Sequence, residues 1–320
     1  MKKTWIWIIS AVALMVVGAL IFSAVMLATD FKFSEKYEAH EEEVNGAVKS
    51  ILIDTKEADI NILPSEDGKC RVVCDDKEKT YHSVKISDGE LSIKLEDNRK
   101  WYNYISFFNF KSPSVTVYLP TDCIAALKID ANTSDVDISK GFTFDSIDIS
   151  VSTGDVSCQS SSKSVAKIHT STGDISLVDM TAGSIDLRVS SGSIAFCEVD
   201  VSGDISLKSS TGRCRLSSVK CKNLTSVGGT GNLLVWQVIA ENHMHIERTT
   251  GDVDFYNSDA DSIKVKVSTG NVTGTLASDK IFNYSTGTGK VELPSSTSGG
   301  LCEITTSTGD IRIEISPASN

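Results

Sequence analysis

Acidic and amide side chains recur at one place in this chain. Asp155, Asp174, Asn232, Asp252, Asn271 and Asp310 each follow the glycine of a Ser/Thr-Thr-Gly-Asp/Asn-Val/Ile motif or a degenerate copy, and Asp135 precedes them. Stacked carboxylates could hold calcium through oxygen ligands. Asp and Asn also bond the backbone of their own turns, and Arg213 and Lys290 interrupt the column. Turn chemistry is therefore the expected role. Gly228 to Leu233 echoes a calcium-binding nonapeptide once, which is too little for a site. His243 and His245 flank Met244 beside Glu241 and Glu247, a spacing open to a transition metal. Lys264 and Lys266, one repeat later, point instead to cross-strand charge pairing. We expect no metal ligands and no cofactor.

The aromatic residues are more distinctive. Trp101, Tyr102, Tyr104, Phe107, Phe108 and Phe110 crowd one short segment, which we expect to cap the fold or to contact a partner. Trp236 and Tyr256, with Leu234, form a second outward cluster, open to sugar stacking. The eight cysteines show no metal or disulfide spacing. Cys158, Cys214 and Cys302 fall at apolar positions, and Cys70 and Cys74 are too far apart on a strand to bridge each other. None of the five histidines lies near a Ser or Cys in nucleophile context, so catalytic residues are not expected.

These residues sit on a repeat. The glycines 154, 173, 192, 212, 231, 251, 270, 289 and 309 are 19 or 20 residues apart. A fixed period of this length means stacked identical units. Two and four residues after each glycine, and five and seven before it, 34 of 36 positions are apolar, against a background of 40%. The exceptions are Gly274 and Ser226. A spacing of two is the strand period, so each coil carries two short strands with one face buried. The coil through Gly289 should bury Phe282, Tyr284, Val291 and Leu293 like the rest. Strands one coil apart run parallel, and such connections are overwhelmingly right-handed. The expected fold is all-β, a right-handed parallel β-solenoid with 19–20-residue coils.

The pattern continues upstream in weaker form, at Leu127 to Ile138 and again at Ile51 to Ile62 with Ala58 at the corner. Between them the period breaks, and Ser87-Asp88-Gly89-Glu90 reads as a hairpin turn. We divide the chain into a transmembrane segment (1–29), a charged stalk (30–47), an irregular β section with cap (48–120) and regular repeats (121–316).

After Lys2 and Lys3, residues 5–28 carry no charge. As a helix this run spans about 36 Å, enough for a hydrocarbon core of about 30 Å. A signal peptide is the alternative, but its apolar region should be shorter and followed by a small-residue cleavage site, which 28–29 lacks. No cysteine near the exit offers a lipid anchor. The lysines favour an inside N-terminus in the cytoplasmic membrane, with the solenoid outside. The net charge is −11, so no basic stripe serves nucleic acid or anionic lipid.

The apolar N-terminal segment, Gly89-Glu90-Leu91-Ser92-Ile93, Val117-Tyr118-Leu119-Pro120 and the repeated Ser-Thr-Gly-Asp-Val/Ile together resemble the toastrack family over roughly 48–316. This is a bacterial group of candidate adhesins. The resemblance implies a membrane-associated envelope protein, often linked to envelope-stress systems of the phage-shock or Lia type. It supplies no catalytic residues. The expected function is a non-enzymatic scaffold for adhesion or stress sensing, with a cell-wall polymer or another envelope protein as partner. The rival is a polysaccharide-cleaving β-helix enzyme. Such an enzyme needs a groove walled by inserted loops, and coil lengths that vary by one residue leave no room for them.

Overall fold

A computed structural model describes residues 2–28, 37–77, 79–98 and 112–316. The aromatic segment 101–110 lies outside the described residues. Helix α1 (Lys2–Ala28) contains a 20-residue stretch, Trp5–Ala24, apolar enough to cross a membrane and buried nowhere against the rest of the chain. Everything else described is β structure.

The parallel stack follows the apolar columns. Ile149, Ile168, Leu187, Leu207, Ser226, Ile246 and Val265 are register partners in succession, and so are Val156, Ile175, Ile194, Cys214, Leu233, Val253 and Val272. Ile185 and Ile205 are 2% and 1% exposed. The solenoid has about nine turns.

Five central coils hold a third inward strip that the sequence reading lacks. Six residues after the marker glycine, Asp179, Glu198, Ser218, Gln237 and Asn257 adopt positive φ between 47° and 57°. That turn shifts the alternation by one residue. Met180, Val199, Val219 and Val238, then Ala182, Val201, Cys221 and Ala240, consequently point into the core. The marker corner is set by sterics. At Gly173, φ is +140°, and an added Cβ would stand 2.0 Å from the carbonyl oxygen of Gly154 below it.

The ends depart from a simple stack. At the N-terminal end, β1 (Tyr37–Val44), β2 (Ser50–Thr55), β3 (Asp59–Pro64), β4 (Cys70–Lys77), β5 (Thr80–Ser87), β6 (Glu90–Asp97) and β7 (Ser114–Leu119) come before β8 (Ala126–Thr133) and β9 (Val136–Ile138). Strands β2 and β3 make a coil whose inner side pairs with β8 and β9 and whose outer side pairs with β6 and β7. Antiparallel β4 and β5 then close the edge against β7 and β6. The predicted hairpin is present, with Asp88 and Gly89 at φ 53° and 85°. Residues 37–44 are not a free stalk. They form β1, paired antiparallel with β4 along its whole length. Its Glu41-Glu42-Glu43 run hides the pairing, because an edge strand has one ladder to satisfy and can keep charges on its wet side.

At the other end the last two coils are out of sequence order. Val265 pairs with Ile304, and Ile304 pairs with Tyr284 on its far side. Val272, Ile311 and Val291 are ordered likewise. The final coil therefore fills the gap between the coils of Gly270 and Gly289. The Gly289 coil is left outermost with one neighbour. Its Tyr284 is 53% exposed, and Phe282, Val291 and Leu293 are half-buried rather than in the core as expected.

All eight cysteines are free thiols. Burial pushes Cys74, Cys221 and Cys302 up to about 12 and Cys70 and Cys158 to about 11. At pH 8 these groups hold almost no thiolate, the reactive form. Iodoacetamide is expected to modify the exposed Cys197 first in the native protein, and the buried thiols only after unfolding, as read by mass spectrometry. Rapid native labelling of Cys158 or Cys302 would contradict the packing.

Candidate functional site

The outward aromatic pair is built by the coil corner. Trp236 and Tyr256 each follow a core residue, Val235 or Phe255, and precede a left-handed residue, Gln237 or Asn257. They are register partners on adjacent coils. Parallel coils lie about 4.8 Å apart, so the rings meet face to face. Their centroids are 3.8 Å apart at 14°. Trp236 is 38% and Tyr256 46% exposed. The same column continues below them through Ser217, Cys197 and Val178. Ser217, the register partner of Trp236 on its other side, is a small residue. Ile239, 42% exposed, stands around the corner. Leu234 is only half-buried. The arrangement suits an apolar or sugar-ring surface laid across several coils.

The aspartate column is a hydrogen-bond ladder. The amide N–H groups of Asp155, Asp174 and Ser193 donate to Oδ1 of Asp135, Asp155 and Asp174 in the preceding coil, at 2.7–2.9 Å. Asn271 and Asp310 extend it, and Lys290 donates to Asp310, which the exchanged coil order makes its neighbour. Turn chemistry is thus present, but it joins coils rather than closing each residue's own turn. His245 pairs with Glu247 at 3.2 Å, while Lys264 reaches Glu303 at 3.1 Å in the inserted coil. The cross-strand register places Lys266 opposite Glu247 as expected.

A polar group beneath the N-terminal antiparallel layer escaped the sequence reading. His82 is 1% exposed. Its ring Nδ1 lies 2.6 Å from Asp76 Oδ1, and its Nε2 2.8 Å from the Thr55 hydroxyl. The carboxylate accepts, which puts a ring proton on Nδ1. Asp76 Oδ2 accepts the His82 backbone N–H at 2.6 Å. A hydroxyl, an imidazole and a carboxylate in line resemble a nucleophile relay. The adjoining cavity, beside Thr55, Thr80 and Leu95, admits about 20 Å³, one water and no scissile bond. Thr55 itself is 3% exposed. As built, the chain Thr55–His82–Asp76 ties β2, β5 and β4 together. On the other side of Asp76, the ligand atoms of His40, Cys74 and Asp76 lie within 4.8 Å of one another. His40 and Cys74 are register partners across β1 and β4, 34 positions apart in the chain. No local spacing could announce them, and reading β1 as a stalk removed one of the two strands.

A sequence profile of the family described as Toastrack DUF4097 matches residues 48–205 and 198–320. No curated protein sequence matches the chain. Among solved structures, a proposed adhesin from Bacteroides fragilis is similar at 16% identity, covering 89% of this chain and 100% of its own, with a TM-score of 0.41. A proposed lipid-binding protein from Parabacteroides distasonis is 15% identical over 74% of this chain and 94% of its own, with a TM-score of 0.44. A proposed adhesin from Parabacteroides merdae is 10% identical over 87% and 97%, with a TM-score of 0.42.

Proposed function

The chain belongs to the toastrack family, and from that premise and its outer surface we propose a non-enzymatic, membrane-anchored envelope protein whose solenoid binds an extended partner. The observation that carries this reading is the stacked, exposed Trp236–Tyr256 pair on coils of uniform length. Coils without inserted loops make a long ruled face instead of a cleft. Such a face suits a linear partner, and a cell-wall polymer fits the aromatic platform best. Adhesion or stress sensing is the output. The helix 2–28 anchors the chain in the cytoplasmic membrane, with the charged solenoid outside. Of the four segments proposed, the linker before the solenoid shortens to the residues between α1 and β1.

Co-sedimentation of the purified full chain with isolated cell walls tests the reading. The Trp236→Ala/Tyr256→Ala variant is expected to lose about tenfold or more of its binding, since truncating an aromatic anchor of a binding surface costs about 2 kcal/mol or more. Trp101→Ala/Phe107→Ala/Phe108→Ala serves as the second variant, for the other aromatic cluster. Unchanged binding in both would sink the platform. Release of soluble sugar from the walls by wild type would favour the enzyme. Protease added to protoplasts should reach the solenoid and spare the N-terminus, and a mature form free in the medium would count against the anchor.

A further inference from the structure

We propose that His40, Cys74 and Asp76 form a site for a thiophilic divalent metal of the zinc class, clamping β1 onto β4. Three different ligand types converge from two strands, and their donor atoms lie within 4.8 Å of one another. One separation within the group is informative. His40 Nδ1 stands 4.0 Å from Asp76 Oδ2, beyond any hydrogen bond. Metal bonds of about 2.0–2.3 Å in tetrahedral array put ligand atoms about 3.3–3.8 Å apart. The gap is therefore too wide for direct pairing and closes onto an ion with a small movement. His40 is the member free to move, being 37% exposed on an edge strand. Cys74 and Asp76 are buried and fixed.

The surroundings favour a cation. Asp76 is held from behind by the ring and amide of His82, whose ring is in turn held by Thr55. This is the outer support that fixes a ligating carboxylate. Glu38 and Glu42, the register partners of Asp76 and Val72, lie on either side of His40 along β1 and raise the local negative potential. Sulfur and imidazole nitrogen select zinc-class ions over calcium or magnesium, which take oxygen. Three protein ligands and a half-exposed histidine leave a fourth position to water.

The full chain in detergent, stripped of metal, is titrated with cobalt(II) and then zinc. One cobalt per chain is expected, with thiolate-to-metal charge-transfer absorption that zinc abolishes. Cys74→Ser should remove that absorption, and His40→Ala should weaken zinc binding at least tenfold. His40 is partly exposed, so this variant tests the site even if Cys74→Ser fails to fold. Zinc should raise the melting temperature of wild type and not of His40→Ala. Absence of stoichiometric binding overturns the assignment. So does binding unchanged in His40→Ala, or a preference for calcium.

Discussion

Valine in place of Gly173 is expected to destabilise the solenoid by about 4 kcal/mol or more, at the far end of single-residue effects. Two costs add. The backbone at φ +140° is territory that side chains avoid, at about 1–3 kcal/mol. The new Cβ would also sit 2.0 Å from Gly154 O, backbone that cannot swing aside, so the coils must part. The N–H bond from Gly173 to Ser191 O and the ladder bond from Asp174 N–H to Asp155 are then strained as well. Asp174→Asn keeps an accepting oxygen for Ser193 N–H and should cost under about 1 kcal/mol. Thermal melts should separate the two by about 6–12 °C. Equal melting temperatures would mean the corner is not steric.

The second large effect is a coupled one. Arg248 lies in the core at 4% exposure. Its Nη2 donates to Ser226 Oγ at 2.9 Å and its Nη1 to Glu247 O at 3.1 Å. Burial lowers its pKa. It fits because residue 228, one coil below, is glycine. A Cβ there would be 2.3 Å from Arg248 Nη1. Elsewhere the same position holds Val151, Val189 and Val267 or the small polar residues Thr170, Ser209 and Thr306, all buried. Gly228→Val alone should therefore cost about 1–3 kcal/mol, since the new side chain displaces a buried guanidinium from its hydrogen bonds to Ser226 and Glu247. Arg248→Val alone should cost about 1–3 kcal/mol through a cavity and an orphaned Ser226 hydroxyl. Together they place two valines where other coils hold valine, threonine or serine. Denaturant titrations should give the pair a coupling of about 2 kcal/mol in its favour. Additive losses would show that Arg248 has room to relocate.

This cluster also explains what the sequence hid. Ser226 reads as a flaw in an apolar column, and nothing local says that Arg248 completes it. The period-two columns were legible because each repeats nine times. The third strip was not, because the left-handed residues between Leu177 and Met180, or Val235 and Val238, flip the alternation within the five coils that carry them. Strand β1 was masked by its glutamates. The Thr55, His82 and Asp76 contacts arise only when antiparallel strands fold over the first coil. The aromatic pair was readable, since equal offsets from Gly231 and Gly251 put both rings on one outer column. Coil order was not. Val291 and Ile311 fit the same column equally well, so the pattern fixes compatible neighbours and leaves their sequence free.

That exchanged order has a mechanical consequence. A stack in simple order ends on a strand with one ladder, which peels from the end under load, one bond at a time. Here the last strand, Ile311–Ile315, is hydrogen-bonded to Val272–Leu276 on one side and Val291–Glu292 on the other. Tension on the C-terminus meets two ladders in shear. Under the proposed function, with a membrane at one end and a partner at the other, that would make the final coil a stopper rather than a loose thread.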